Sequence, residues 1–327
     1  MSQNFDDILM AAQDGQQPQQ PKGATLEPFD KDAYMEKKQS ERDAAFRLAD
    51  VTAERAASSP ETYATYLNVQ ARFNRYSVNN ALLIASQMPD ATKLATFDEW
   101  RENNVQIKSG AKAIMLLTPG KEFEREDGSV GASFNVKKVF DISQTHAVQQ
   151  QTEIHRDQRL VMKALVSNPP CRLEVNDTKV PSNAAAIYSS ADKTLYVRHG
   201  LSFDDMFRAL ARELAFAHLD KGGDYSRNNS EFAAKSIAYL VCARNHIVPE
   251  PVSVPASYSN QEAKALKAQL GQIRDIANTM HNTMENVLGK QKTQDHAQSR
   301  PANPKNRDAR LSERPNLRFG ERELMQR

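Results

Sequence analysis

The sequence feature that most restricts the fold is an amphipathic segment at residues 203–219. It contains neither glycine nor proline, and its apolar residues recur at helical spacing: Phe203, Phe207, Leu210, Leu214 and Ala217. This pattern predicts a helix with one face against a core. Arg212 and Glu213 stand at its centre, and their role decides between an enzyme and a binding protein.

The composition predicts folded domains joined to polar segments that contribute little to a core. Of 327 residues 39% are hydrophobic, and the mean hydropathy is -0.66, so the chain has room for two domains plus tails. Because the net charge is only +2, a surface that binds nucleic acid would have to be a local basic patch. Two cysteines, Cys171 and Cys242, fit a reducing compartment. Without an apolar leader or a run near the ~18 residues of a membrane span, we expect a cytoplasmic protein that does not bind membranes.

Breaks in composition divide the chain into six predicted segments. In order these are a disordered Gln/Pro-rich stretch (1–28), a helical extension (29–59), a compact domain (60–148), a second domain (158–258), a C-terminal helix (259–289) and a basic disordered tail (290–327). In the extension we expect a helix at 31–57 whose Phe46, Leu48 and Val51 touch the core in part. The tail has two interpretations, solvated disorder or attraction to nucleic-acid phosphates.

Periodicity and turn residues place the elements inside the two domains. The first domain is predicted to contain helices at 61–73, 79–88 and 97–101, a strand at 114–117 ended by Pro119, a loop at 122–133 and a returning strand at 136–142. The second is predicted to contain a helix at 159–166, strands at 173–175, 185–188 and 194–197, the helix at 203–219, a loop at 221–229 and a buried helix at 231–244.

Cations, aromatic residues and amides are mixed along residues 72–112. Proteins that bind single strands use this combination, with cations along the phosphates and flat side chains under the bases, and stacking contributes about 1–3 kcal/mol per base. The candidates are Arg72, Arg75, Tyr76, Asn79, Trp100, Arg101, Lys108 and Lys112. Asn79 or Gln87 would contact base edges. The alternative is that Tyr76 and Trp100 are core aromatics and the cations form a solvated face.

Five ordered motifs run through the same region. They are Tyr76-Ser77 with Asn79-Asn80-Ala81-Leu82-Leu83-Ile84, Gln87-x-Pro89-x-Ala91-Thr92, Phe97-x-x-Trp100, Ile107-Lys108-x-Gly110-x-Lys112-x-Ile114, and Val139 to Thr145. Together they are similar to the N-terminal domain of ArdC-type antirestriction proteins, over roughly residues 60–146. The resemblance implies single-stranded DNA binding by a protein of a mobile element, typically a conjugative plasmid, or of a phage. Its role would be to protect or handle DNA during transfer.

The second domain resembles the zincin-type metallopeptidase domain of the same family. The resemblance lies in residues 186–188, 195–198, 210–217 and 231–239. In the family the helix holds His-Glu-x-x-His, where the histidines bind zinc and the glutamate is the general base, and a glutamate from the next helix is the third ligand. Here Arg212 and Phe216 stand in the histidine positions, Glu213 remains, and the third position is Glu231 or Lys235.

These replacements predict a pseudo-metallopeptidase with no catalytic residue, metal or cofactor. An arginine cannot offer zinc a lone pair, and a phenyl ring has no donor atom. His218 points about 200° away from the missing ligand on the helix, and His199 or His246 would need chain rearrangement. A carboxylate in a former metal cleft needs a cation, so we expect Arg212 or Lys235 to pair with Glu213.

The sequence thus predicts an α+β fold: an ArdC-like single-stranded DNA-binding domain followed by a zincin-like domain without its metal ligands. Two alternatives belong to other classes. One is a zinc metallopeptidase with a rebuilt site. The other is a non-enzymatic scaffold, in which the degenerate cleft or the C-terminal helix binds a protein partner.

Overall fold

The fold is mixed helix and strand, as predicted. The computed structural model describes residues 30–124, 128–147 and 157–298. The helices in these ranges are α1 (Lys31–Ser58), α2 (Pro60–Arg72), α3 (Val78–Gln87), α4 (Phe97–Glu102), α5 (Gln158–Leu165), α6 (Phe203–Leu219), α7 (Arg227–Arg244) and α8 (Ala263–Gln298). The strands are β1 (Leu94–Ala95), β2 (Ile114–Glu124), β3 (Val130–Asp141), β4 (Arg172–Val175), β5 (Ala186–Ser189) and β6 (Thr194–Val197).

The chain ends fall largely outside the described residues. The stretch 1–28 and most of the predicted basic tail lie there. The final helix α8 ends at Gln298, so residues 290–298, which we predicted to be tail, are helical. None of the helices in the described ranges is long and apolar enough to cross a membrane.

The first sheet has the order β1-β3-β2, and all its pairs are antiparallel. The β2–β3 hairpin pairs from Ile114 with Val139 to Glu124 with Val130, with a register shift between Pro119 and Glu122. The predicted end of the strand at Pro119 and the predicted loop at 122–133 were therefore wrong. Proline is tolerated there because β2 is an edge strand, where a missing N–H leaves no neighbouring strand unpaired.

Two amide side chains of α3 cover the outer edge of β2. Asn80 Nδ2 donates to the Leu117 carbonyl at 2.8 Å, and the Leu117 N–H donates to Asn80 Oδ1 at 2.7 Å. Gln87 makes the same pair of bonds with Met115, at 3.0 and 2.9 Å. An uncovered edge would leave these backbone groups without partners in a packed interface. The helix therefore completes the sheet at these two residues.

The second sheet has the order β4-β6-β5, with β4 parallel and β5 antiparallel to β6. Helix α6 packs against β5, β6 and α7. Its bounds are those predicted, and Ser202 caps its start by accepting a hydrogen bond from the Asp205 N–H. Of the predicted apolar face, Phe207, Leu210, Leu214 and Ala217 are buried and Phe203 is half-buried, which confirms that this face packs against the core.

The long helix α1 contacts the core mainly through small residues, and of the three large residues expected to touch it in part, Phe46 and Leu48 do so and Val51 does not. Its buried residues include Ala45, Ala49, Ala53 and Ala56, whereas Val51 is exposed and Phe46 and Leu48 are half-buried. This face packs against α2, α3, β3 and α8. An alanine face lets helices approach closely, and hydrophobicity patterns that weight large side chains miss it.

The apolar core is continuous between the two predicted domains. Helices α2 and α7 pack together, and the buried Tyr63 hydroxyl donates to Ser236 Oγ at 2.7 Å. Helix α8 also reaches the first part of the chain, because Arg274 Nε donates to the Tyr76 carbonyl at 2.8 Å. A smaller apolar cluster forms around Ala95, Trp100, Ile107 and Phe140.

Candidate functional site

Glu213 is the centre of a buried ionic network on α6. Its side chain is 0% exposed, and four hydrogen bonds reach its two oxygens. Arg227 Nη1 and Nη2 donate to Oε2 and Oε1 at 2.8 and 2.7 Å, which is a bidentate fork. The Tyr188 N–H donates to Oε2 at 2.8 Å, and Arg212 Nε donates to Oε1 at 3.3 Å. Fixed donors thus hold the carboxylate at both of its oxygens.

The guanidinium of Arg227 also lies over the ring of Phe216, 3.9 Å from its centroid. Flat cations bind aromatic faces in this way. Burial disfavours the charged form of Arg227, but the hydrogen bonds and negative charge of Glu213 raise its pKa above the usual value. A single cation therefore contacts both Glu213 and Phe216, two of the three motif positions on α6.

The predicted partners of Glu213 were right in part. Arg212 contacts the carboxylate, and its Nη1 also lies 3.6 Å from Glu250 Oε2. Lys235, the other predicted partner, does not pair with Glu213. It forms an ion pair with Glu231 at 2.7 Å on the same helix. Spacing explains this difference, since residues 231 and 235 are neighbours on the surface of α7.

Sequence reasoning missed Arg227 because it placed residues 221–229 in a loop. Helix α7 begins at Arg227, and Ser226 caps it by accepting a hydrogen bond from the Asn229 N–H. Serine is a favoured N-cap residue, so Ser226 was the available signal for the earlier start. The cap places Arg227 in the first turn, with its side chain on Glu213.

The described residues do not fit the zinc site that the zincin resemblance implies. The two motif positions hold a guanidinium and a phenyl ring, neither of which donates a lone pair to a metal. Of the nearby histidines, His199 lies 3.2 Å from an Asp177 oxygen, and His246 stands in a cleft beside α2 and α8. Within the described ranges, no group of three or more His, Cys, Asp or Glu side chains could hold a metal ion.

A second buried carboxylate, Asp220, fastens the end of α6 to the β5–β6 hairpin. It accepts hydrogen bonds from the Tyr188 hydroxyl at 2.9 Å, from Ser190 Oγ at 2.5 Å and from Lys193 Nζ at 2.7 Å. Burial favours the protonated acid, but these donors, with the Gly222 N–H, outweigh it and hold the pKa of Asp220 well below its usual value. This cluster has a structural role.

Four DNA-binding candidates lie at the α2–α3 junction, and we call them the junction group: Arg72, Arg75, Tyr76 and Asn79. Both arginines are exposed, and Arg72 Nη2 donates to the Pro89 carbonyl. Tyr76 is half-buried against Phe73, with ring centroids 5.5 Å apart, and burial raises the pKa of its hydroxyl. Both charges are therefore accessible, whereas only part of the aromatic surface is.

Three further candidates, which we call the loop group, surround the segment before β2: Arg101, Lys108 and Lys112. All three are exposed. Gln144 ties the loop together, because its carbonyl accepts from the Lys108 N–H and its Nε2 donates to the Lys112 carbonyl, both at 2.8 Å. Lys108 Nζ donates to the Ser143 carbonyl at 2.9 Å, and Arg101 pairs with Asp98 at 3.4 Å. The loop group is held on a defined backbone.

Two expected base contacts are corrected by the structure. Trp100 is 1% exposed and its Nε1 donates to the Phe140 carbonyl at 3.0 Å, so its ring is a core element and not a stacking platform. The Gln87 amide is engaged with the β2 backbone and does not face outward. An aromatic residue among charged neighbours looks the same in sequence whether its ring is buried or exposed.

Comparison with known proteins identifies the first part of the chain. Residues 50–165 match the family model of the N-terminal domain of anti-restriction factor ArdC. This segment is similar to the ArdC N-terminal domain. It includes the junction group, the loop group and the first sheet. A Bacillus anthracis protein, the uncharacterized protein pXO2-81, is 35% identical over 80 residues, which are 24% of this chain. The match spans only 13% of that relative's length.

Two solved structures of the antirestriction protein ArdC from plasmid R388 are also similar. The metal-free structure gives a TM-score of 0.47 at 18% identity and covers 74% of this chain and 98% of its own. The Mn(II)-bound structure gives 0.48 at 17% identity, with coverage of 73% and 97%. Likeness at this level supports no inference about function, so the relationship to ArdC rests on the domain match.

Proposed function

We propose that this protein binds single-stranded DNA through its ArdC-type N-terminal domain, in an antirestriction or DNA-transfer role on a mobile element or phage. The observation that carries the proposal is the family match at residues 50–165. The candidate cations lie inside that segment and are exposed at two places, the junction group and the loop group.

The binding we propose is mainly electrostatic. Arg72, Arg75, Lys108 and Lys112 would contact phosphates, and the exposed part of Tyr76 would stack on one base. With Trp100 in the core, stacking contributes less than the sequence indicated. Affinity should then depend little on base sequence and fall steeply with salt.

We further propose that the second part of the chain is peptidase-like but not catalytic. Arg227 supports this proposal, because its positive charge neutralises Glu213 as a metal ion would otherwise do. Glu213 is also fully buried and hydrogen-bonded at both oxygens, so it is poorly placed to act as a general base. Metal analysis of the purified protein tests the proposal. A stoichiometric metal that is lost in Glu213→Gln would refute it.

Fluorescence anisotropy with labelled single- and double-stranded oligonucleotides tests DNA binding. At about 50 and about 200 mM salt, we expect the single strand to bind more tightly and affinity to fall with salt. Arg75→Ala and Lys112→Ala should weaken binding to all sequences alike and each flatten the salt dependence by about 0.7 in log–log slope. Lys264→Ala, an exposed lysine on α8, is the matched control. Unchanged affinity in both test variants would count against this surface.

A further inference from the structure

A cleft of about 660 Å³ opens between α2, α7 and α8, next to the junction group. Its lining includes Arg72 and Asn68 of α2, Arg244 at the end of α7, and His246 just beyond it. Asp90 contributes one exposed carboxylate to the rim. The volume lies within the range of small-molecule sites, and the polar lining favours a charged ligand.

Arg244 is the unusual residue of this cleft. It is 9% exposed, and its Nη2 donates to the Gln70 carbonyl at 3.4 Å. Nε and Nη1 are buried and have no hydrogen-bond partner among the described residues. Burial, with a smaller effect from the positive charge of Arg274, lowers the pKa of Arg244 to about 10. A buried cation is normally retained with an anionic partner, and no described carboxylate forms an ion pair with it.

His246 gives an independent indication in the same place. It has a φ of 61°, in the left-handed region. The His246 N–H donates to the Ala243 carbonyl at 3.2 Å and the Ile247 N–H to the Cys242 carbonyl at 3.0 Å, which is the helix ending that normally uses glycine. A histidine therefore occupies a strained position, and its side chain lines the cleft. Strain of this kind is frequent at binding sites.

We propose that the cleft binds a phosphate group, with Arg244 as the buried anchor and Arg72 and His246 as outer donors. Two arginines against one aspartate give the lining a net positive charge, and a guanidinium with two nitrogens that lack a partner among the described residues matches phosphate oxygens. The phosphate would come from a free nucleotide or from DNA. This site is separate from the loop group and does not require that the loop group binds DNA.

Isothermal titration calorimetry of the full chain tests the site with three probes: inorganic phosphate, thymidine monophosphate and a 5′-phosphorylated single-stranded oligonucleotide. We expect Arg244→Met to weaken phosphate binding by about tenfold or more, because it removes the anchoring charge. Its melting temperature should be unchanged or raised, because methionine replaces a buried unpaired cation with an apolar side chain of similar length. Lys264→Ala serves as the matched control.

His246→Gly provides the second variant. Glycine suits the left-handed position, so the variant should melt at the same or a higher temperature while binding phosphate several-fold more weakly. If Arg244→Met does not fold, this variant decides alone. Either variant with wild-type affinity for all three probes would overturn the proposal, as would a wild-type protein that binds none of them.

The three probes also distinguish a free nucleotide from a DNA phosphate. They test the phosphate cleft separately from the proposed DNA-binding function. Loss of all three probes in Arg244→Met indicates a DNA phosphate, whereas loss of only the two small probes indicates a free nucleotide. Lys112→Ala should bind inorganic phosphate like the wild type even if its DNA affinity falls. Failure of DNA binding with intact phosphate binding would therefore overturn only the proposed function.

Discussion

Removing Arg227 should destabilise the fold more than removing any ordinary surface cation. In Arg227→Met, Glu213 loses both bonds of the fork, and Phe216 loses the cation over its ring. Breaking a buried ion pair by deleting one partner costs about 3–5 kcal/mol. Because the Arg227 side chain is 38% exposed, water can reach part of the vacated position, and we expect about 2–4 kcal/mol.

Urea unfolding followed by circular dichroism measures this change. Lys235→Met is the matched control, because it removes a cation from the same helix whose partner, Glu231, is exposed. It should cost less than about 1 kcal/mol. The double variant Arg227→Met/Glu213→Gln should recover most of the loss, since a neutral amide needs no counter-charge.

Two results would refute this reasoning. The first is an Arg227→Met variant whose free energy of unfolding lies within about 0.5 kcal/mol of the wild type, the range of ordinary surface substitutions. The second is a double variant no more stable than Arg227→Met alone. Either would mean that Glu213 does not depend on the fork for its burial.

Three further predictions concern other parts of the molecule. Asn80→Ala leaves the N–H and carbonyl of Leu117 without partners, and urea unfolding should show a loss of about 2–4 kcal/mol. Trp100 is the single tryptophan of the chain and is buried, so its fluorescence should be blue-shifted and should not be quenched by saturating single-stranded DNA. The folded-state pKa of Asp220 is depressed, so its stabilising effect is present above the unfolded value of about 3.9 and is lost as pH falls below it. Asp220→Asn should therefore be less stable than the wild type at pH 7, and the difference in melting temperature should shrink below about pH 4.

Each of these has a clear contrary result. A stable Asn80→Ala variant would show that α3 does not complete the sheet, and strong quenching of Trp100 would restore it as a stacking residue. An Asp220→Asn variant whose deficit stays constant down to pH 3 would show that the carboxylate charge contributes nothing.

Local periodicity was enough to predict α6 to the residue. Its apolar stripe is read within one segment, and helix formation depends on it directly. The partner of Glu213 could not be found in this way, because Arg227 lies on another helix whose start was misplaced. The predicted need for a counter-charge was correct, and Arg212, one of its two predicted sources, contacts the carboxylate, but the bidentate partner Arg227 was missed.

Amide and aromatic residues were the least predictable part of the candidate site. Gln87 was predicted to contact base edges, yet its amide bonds to the β2 backbone, as does the buried Asn80 of the same helix. Trp100 lies among charged residues but fills the small second core. In each case the deciding contact is with a residue 28 to 40 positions away, which no local pattern records.

The cover that α3 places on β2 has a consequence for hydrogen exchange. Edge-strand amides usually exchange with solvent as soon as the strand frays. Here the N–H groups of Met115 and Leu117 are bonded to side chains of a packed helix, so they can exchange only when α3 separates from the sheet. These two amides should therefore exchange as slowly as those of α3 itself and report on opening of the whole domain.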